Sequence, residues 1–176
     1  NPEKIIIIIG LHSKNSIIDT INNNFPNFIN KICFVEQTVP NGTGDAIKYT
    51  LHELLDNTQT LILTGDAPNI NASTLKKSFI LNENITQILS FCPENNFGYG
   101  RIILDKNILN KNILKYIKEE KDCNDDERCV KLCNTGIYCI PSELIKLNIN
   151  KLNNNNKSNE YYLTDIFSYI IKDNYI

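Results

Sequence analysis

LILTGDAPNI, Leu61 to Ile70, is a short apolar run that stops on Gly65 and Asp66 and is then turned by Ala67-Pro68. An apolar run of that length ending in glycine reads as a strand buried in a sheet, which places Asp66 at its carboxyl end. In open α/β sheets, ligands collect at that edge. Asp66 then has two readings. It is either a carboxylate offered to a hydrated magnesium ion or a turn former bonded to nearby backbone amides.

Outward from this stretch, apolar runs alternate with helical patterns. KIIIIIG (Lys4 to Gly10) reads as a central strand, and Ile17, Ile18 and Ile21 mark one side of a helix over 13–23. KICFVE (Lys31 to Glu36) is a second strand. It leads through a Gly-rich turn to a helix over Asp45 to Leu55, whose Ala46, Ile47, Leu51, Leu54 and Leu55 form an inward stripe. Thr60 to Gly65 is the third strand, a helix with Asn and Ser caps starts within 71–74, and ITQILSF (Ile85 to Phe91) is the fourth strand. Repeats of strand then helix close as doubly wound α/β sheets.

The second half reads as sheet elements at Gly98 to Leu104 and Ile113 to Glu120 around a turn at Asp105 to Asn112, and a strand at Cys133 to Ile140. Helices follow over Pro141 to Leu152, with proline at the start, and over Leu163 to Lys172. No internal repeat or long linker divides the chain, so residues 1–176 are expected to form one domain.

The net charge of -2 and pI near 5.7 argue against an electrostatic nucleic-acid binder. No apolar run approaches the roughly 18–20 residues of a membrane span, so no membrane partner is expected. The six cysteines lack a paired CxxC and no signal peptide precedes them, which favours reduced thiols and places Cys139 in the core. Asn-rich runs read as loop filler. A chain that begins Asn1-Pro2 and contains no methionine is expected to be a processed or partial product.

Two further stretches could carry chemistry. PNGTGDA (Pro40 to Ala46) enters a helix, where exposed amides attract anions, although Thr43 or Asp45 could simply cap the helix. GYGR (Gly98 to Arg101) could approach a ligand through its backbone or mark a bulge. His12 and His52 have no partner pattern.

In order, VEQ (35–37), GTGDA (42–46), TGDAP (64–68), GYGRI (98–102), EEKD (119–122), NTGIY (134–138) and NNN…EYYLTD (154–165) resemble the pyrophosphorylase domain of N-acetylglucosamine-1-phosphate uridyltransferase along essentially the whole chain. The resemblance implies a Rossmann-like nucleotide-diphospho-sugar transferase fold, with a mixed, mostly parallel sheet and helices on both faces. It also implies uridylyl transfer from UTP to N-acetylglucosamine 1-phosphate in the cytoplasm, with Mg²⁺ as cofactor. Carried over by motif, Gln37 would read uracil and Gly42 and Thr43 would complete that pocket, with glycine leaving room for the base. Gly65 would keep the phosphate approach open, and Asp66 would hold the metal and serve catalysis. On the sugar side, the resemblance implies Gly100, Glu119, Asn134, Tyr162 and Thr164.

Three departures stand beside this match. The family's opening LAAGxGTRM loop has no counterpart here, since the chain starts at about the family's second strand, and the second metal-ligating asparagine would fall beyond Ile176. Asp45 stands where bifunctional bacterial members have His. No acetyltransferase repeat is visible. Two alternatives are a sugar-1-phosphate nucleotidyltransferase of other specificity and a catalytically inactive sugar-nucleotide-binding or interaction remnant.

Overall fold

A computed structural model describes residues 2–79, 85–105 and 113–173. The strands are β1 (Ile5–Gly10), β2 (Ile32–Gln37), β3 (Gln59–Ile62), β4 (Gln87–Phe91), β5 (Arg101–Leu104), β6 (Leu114–Lys118) and β7 (Cys133–Pro141). The helices are α1 (Lys14–Asn24), α2 (Thr43–Tyr49), α3 (Ala72–Ser78), α4 (Asp125–Arg128), α5 (Ser142–Asn148) and α6 (Ile166–Lys172). The turn expected over 105–112 lies, apart from Asp105, outside the described residues.

β1 and β2 pair in parallel, whereas every described pairing among β3 to β7 is antiparallel. The mixed α/β architecture stands, but the expected parallel majority does not. The reason is β7. β3 and β4 both pair antiparallel with Tyr138, so they occupy opposite edges of β7 and run parallel to each other. The crossover through α3 therefore has the sense of a βαβ unit, with β7 inserted between its two strands.

Alternation along β7 puts a core on each face. Tyr138 and Ile140 join Ile47, Leu144, Ile145, Ile149, Ile166, Phe167 and Ile170 in the main core, while Ile137 and Cys139 pack with Phe79 in a smaller one. Helices accordingly cover both faces. Cys139 is a core residue as expected, and all six cysteines are unpaired.

Local differences have physical causes. α2 begins at Thr43 rather than Asp45 and gives way at Thr50 to a 3-10 turn at Leu51–Glu53, which leaves Leu55 exposed instead of inward. α5 likewise ends in a 3-10 turn at Ile149–Lys151. β3 stops at Ile62, and Leu61 and Leu63 are 38% and 48% exposed, so the stretch before Asp66 is a short, half-covered strand and not a buried one. Asn71 caps α3 by accepting from Thr74 N at 2.8 Å. Asn124 and Glu127 form a capping box on α4, a helix absent from the sequence reading although its N-x-x-E spacing was visible.

Candidate active site

One edge of β7 is shared by two partners. β3 reaches Ile62 opposite Tyr138, and β5 begins at Arg101 opposite Cys133. Between them the edge over 134–137 pairs with no strand among the described residues, and the segments that border it are the Thr64–Asp66 turn and Gly100. Thr64 leans on Gly136, where a Cβ would come within 2.8 Å of its Cγ2, and Gly136 holds φ +77. At the other border Asn134 N donates to Gly100 O at 2.8 Å.

The sugar-side candidates form a chain of contacts, from Thr164 to Glu119 to Gly100 to Asn134. A Cβ on Gly100 would stand 3.2 Å from Glu119 Oε2, so the carboxylate lies close against this backbone. Thr164 Oγ1 donates to Glu119 Oε1 at 2.8 Å. Asn134 Nδ2 donates to the buried Tyr138 hydroxyl at 2.6 Å, and its Oδ1 accepts from Gly136 N at 3.2 Å. Burial pushes the Glu119 carboxyl above the usual glutamate range, reinforced by Asp165, Asp122 and Glu160 and opposed by the Thr164 hydrogen bond. Tyr162 joins Glu119, Glu120, Lys121, Ser158, Glu160 and Gly98 around a cavity of about 190 Å³. A larger open groove of about 470 Å³, beside Lys115, Lys118 and Glu127, contains none of the candidate residues.

The base-side candidates meet at the turn into α2. Gln37 Nε2 lies 3.3 Å from both Gly42 O and Asp45 Oδ2. Both neighbours are acceptors, so the amide nitrogen must face them and the carbonyl oxygen faces away. Gly42 has φ +115, and a Cβ there would lie 2.6 Å from Tyr161 O and 2.9 Å from Tyr161 N. The space that glycine was expected to leave for a base is thus filled by the Tyr161 backbone. Neither Thr43 nor Asp45 caps α2; its N-cap is Gly42, and the Thr43 hydroxyl instead accepts from Leu163 N at 3.0 Å.

Gly65 and Asp66 are exposed, and a Cβ on Gly65 would meet nothing within 4 Å. Among the described residues no three His, Cys, Asp or Glu side chains gather to hold a metal. A lone exposed carboxylate still suits Mg²⁺, which keeps most of its waters and takes one or two carboxylates together with substrate phosphates.

Two participants escaped the sequence reading. Arg101 is 1% exposed, with Nη2 2.7 Å from Glu120 Oε2 and Nη1 donating to Tyr99 O, so it ties the Gly100 strand start to the Glu119 turn. Its neighbour in the motif is glycine, and nothing in GYGR signals an inward arginine. Asn156, inside the NNN…EYYLTD motif but given no role there, shapes the turn before Tyr161 by accepting from Ser158 N and Glu160 N, each at 3.2 Å, and donating to Glu160 O at 2.6 Å.

No family model matches the chain. It is 41% identical over 173 residues to the Acanthamoeba polyphaga mimivirus protein named "Probable UDP-N-acetylglucosamine pyrophosphorylase", covering 94% of this chain and 64% of that protein. To the bifunctional protein GlmU of Neisseria meningitidis serogroup B it is 36% identical over 173 residues, covering 98% of this chain and 35% of that protein. The chain therefore spans under two thirds of the viral relative and about a third of the bacterial one. A solved UDP-glucose pyrophosphorylase, complexed with UDP-glucose, shares the fold at TM-score 0.68 and 17% identity, over 99% of this chain and 71% of that one. Over the residues it contains, this chain is similar to proteins named UDP-N-acetylglucosamine pyrophosphorylase and bifunctional protein GlmU, and it matches a part of each.

Proposed function

We propose that the complete protein transfers the uridylyl group of UTP to N-acetylglucosamine 1-phosphate, giving UDP-N-acetylglucosamine and pyrophosphate. The observation that carries this reading is the contact set of Gly100, Glu119, Asn134 and Thr164 in a chain 41% identical to a protein named for that product. An oxygen of the sugar phosphate bonds to the α-phosphorus of UTP. The bond from that phosphorus to the bridging oxygen breaks, and its electron pair leaves with pyrophosphate. The attacking oxygen is already anionic, so the site needs alignment and charge stabilisation and no general base.

Gln37 accepts the uracil N–H through its carbonyl oxygen, because its amide nitrogen is committed to Gly42 and Asp45. Gly42 and Thr43 border the base, and Gly65 leaves the phosphates room. Glu119 accepts from sugar hydroxyls. Gly100 contributes backbone, Asn134 contributes its amide, and Tyr162 and Thr164 lie beside the N-acetyl and phosphate groups. Asp66 holds Mg²⁺, which when bound neutralises phosphate charge. The unpaired cysteines suit a reducing compartment such as the cytoplasm.

The test is pyrophosphate release by the complete protein, with each nucleoside triphosphate offered against a set of sugar 1-phosphates. Turnover with UTP and N-acetylglucosamine 1-phosphate is expected. Turnover confined to another base or another sugar overturns the assignment.

A further inference from the structure

The turn that enters α2 and the segment carrying Tyr162 and Thr164 are 120 residues apart at the bond that joins them, yet they form one hydrogen-bonded unit. Tyr161 N donates to Asn41 O at 2.8 Å, Gly44 N donates to Tyr161 O at 2.7 Å, and Leu163 N donates to Thr43 Oγ1 at 3.0 Å. Two glycines make this approach possible. Besides the Tyr161 backbone against Gly42, a Cβ on Gly44 would come within 2.5 Å of Leu152 Cδ1 and 3.0 Å of Tyr161 O. Lys48 of α2 adds a cation 3.9 Å above the Tyr161 ring centre.

Of the three bonds, the Thr43 bond is the one made by a side chain, and it falls on the residue between Tyr162 and Thr164. Thr164 in turn holds the Glu119 carboxylate at 2.8 Å. A continuous path therefore runs from the turn that borders the base to the carboxylate that faces the sugar. Deleting the hydroxyl frees the Leu163 amide and loosens both flanking side chains, while the backbone bonds at Asn41 and Gly44 keep the segment attached.

From this we infer that Thr43 is a positioning residue for the sugar phosphate: it acts through Leu163 to fix Tyr162 and Thr164, and it couples the sugar side to the base side. The inference rests on the uridylyltransferase reading for the identity of the two substrates, but the tie itself does not depend on them.

The experiment compares Thr43→Val, which keeps the shape and loses the hydroxyl, with Thr43→Ser, which keeps the hydroxyl. Amide exchange at Leu163 is measured without substrate, and KM for both substrates is measured in the complete protein. In Thr43→Val, faster Leu163 exchange is expected together with a KM for N-acetylglucosamine 1-phosphate raised about fivefold or more, the scale of one lost hydrogen bond. Thr43→Ser restores both. Unchanged Leu163 exchange in Thr43→Val overturns the tie whatever the substrates are. A rise in the UTP KM alone, or a Ser variant that behaves like Val, overturns the positioning role while leaving the proposed activity standing. An unaltered protein without turnover on this substrate pair overturns the activity, and with it the assignment of Thr43 to the sugar phosphate.

Discussion

Arg101 and Glu119 meet burial in opposite ways. Arg101 is enclosed, its charge answered by Glu120, which is 18% exposed on its side chain. Glu120→Gln leaves a buried guanidinium without its counter-charge, which costs stability. We expect a loss of about 3 kcal/mol in urea unfolding, the lower end for a broken buried pair, because Glu120 Oε2 meets the guanidinium by distance without hydrogen-bond geometry. A loss below about 1 kcal/mol would show that the pair is an incidental contact. Glu119 behaves oppositely, since burial raises its pKa and its ionised form is the unfavourable one in the folded state. Its contribution to stability is present in acid and lost as pH rises through the raised value, so Glu119→Gln is expected to be the more stable protein at neutral pH, with the difference closing on acidification. Sugar binding has the reverse sign. The KM for the sugar phosphate should climb as pH falls, starting above the usual glutamate range, and Glu119→Gln should flatten that limb. Gly100, Glu119, Asn134 and Thr164 were legible in the sequence only through the order of the motifs, because no one of them is distinctive alone. Arg101 was not legible, since an inward arginine is visible only when the carboxylate that answers it is folded over it.

The elements were read more accurately in kind than in direction. Apolar composition reveals burial, and so the strands and amphipathic helices emerge near their observed bounds. It does not reveal strand sense, which is set by where a later segment inserts. β7 enters between β3 and β4 from more than forty residues downstream of β4, and no pattern within TLILTG or ITQILSF announces it. The same limit hid the role of the Gly-rich turn. Its glycines looked like room for a ligand, whereas their missing side chains admit the Tyr161 backbone, a partner legible only after folding. Gly42→Ala therefore tests an element-level contact. It places a Cβ against backbone atoms at φ +115, and strain of this kind costs about 1–3 kcal/mol. Chemical denaturation should show a loss in that range. Gly10→Ala is the matching control, since a Cβ there meets nothing within 4 Å.

Across the whole molecule, the candidate residues come from several separate pieces of chain. The α2 turn brings the base side and, through residues 161–163, the sugar side; β5 and β6 bring Gly100 and Glu119; the end of β3 brings Asp66. Asp66 differs from most of them. Gln37, Gly42, Thr43, Gly100, Glu119, Asn134 and Thr164 are held by hydrogen bonds or close packing, whereas Asp66, like Gly65, sits exposed on a turn closed by the Ala67 N to Thr64 O bond of 3.4 Å. A residue so placed contributes little to folding, and exposed substitutions of this type fall within about 0.5 kcal/mol. The role proposed for it lies in what it offers to a ligand. Asp66→Asn preserves size and turn-forming capacity while removing the charge a hard cation needs. The expected outcome is an unchanged melting temperature together with loss of Mg²⁺-dependent turnover by the complete protein. Unchanged turnover would return Asp66 to the role of a turn residue, and a large fall in melting temperature would show that its carboxylate is structural.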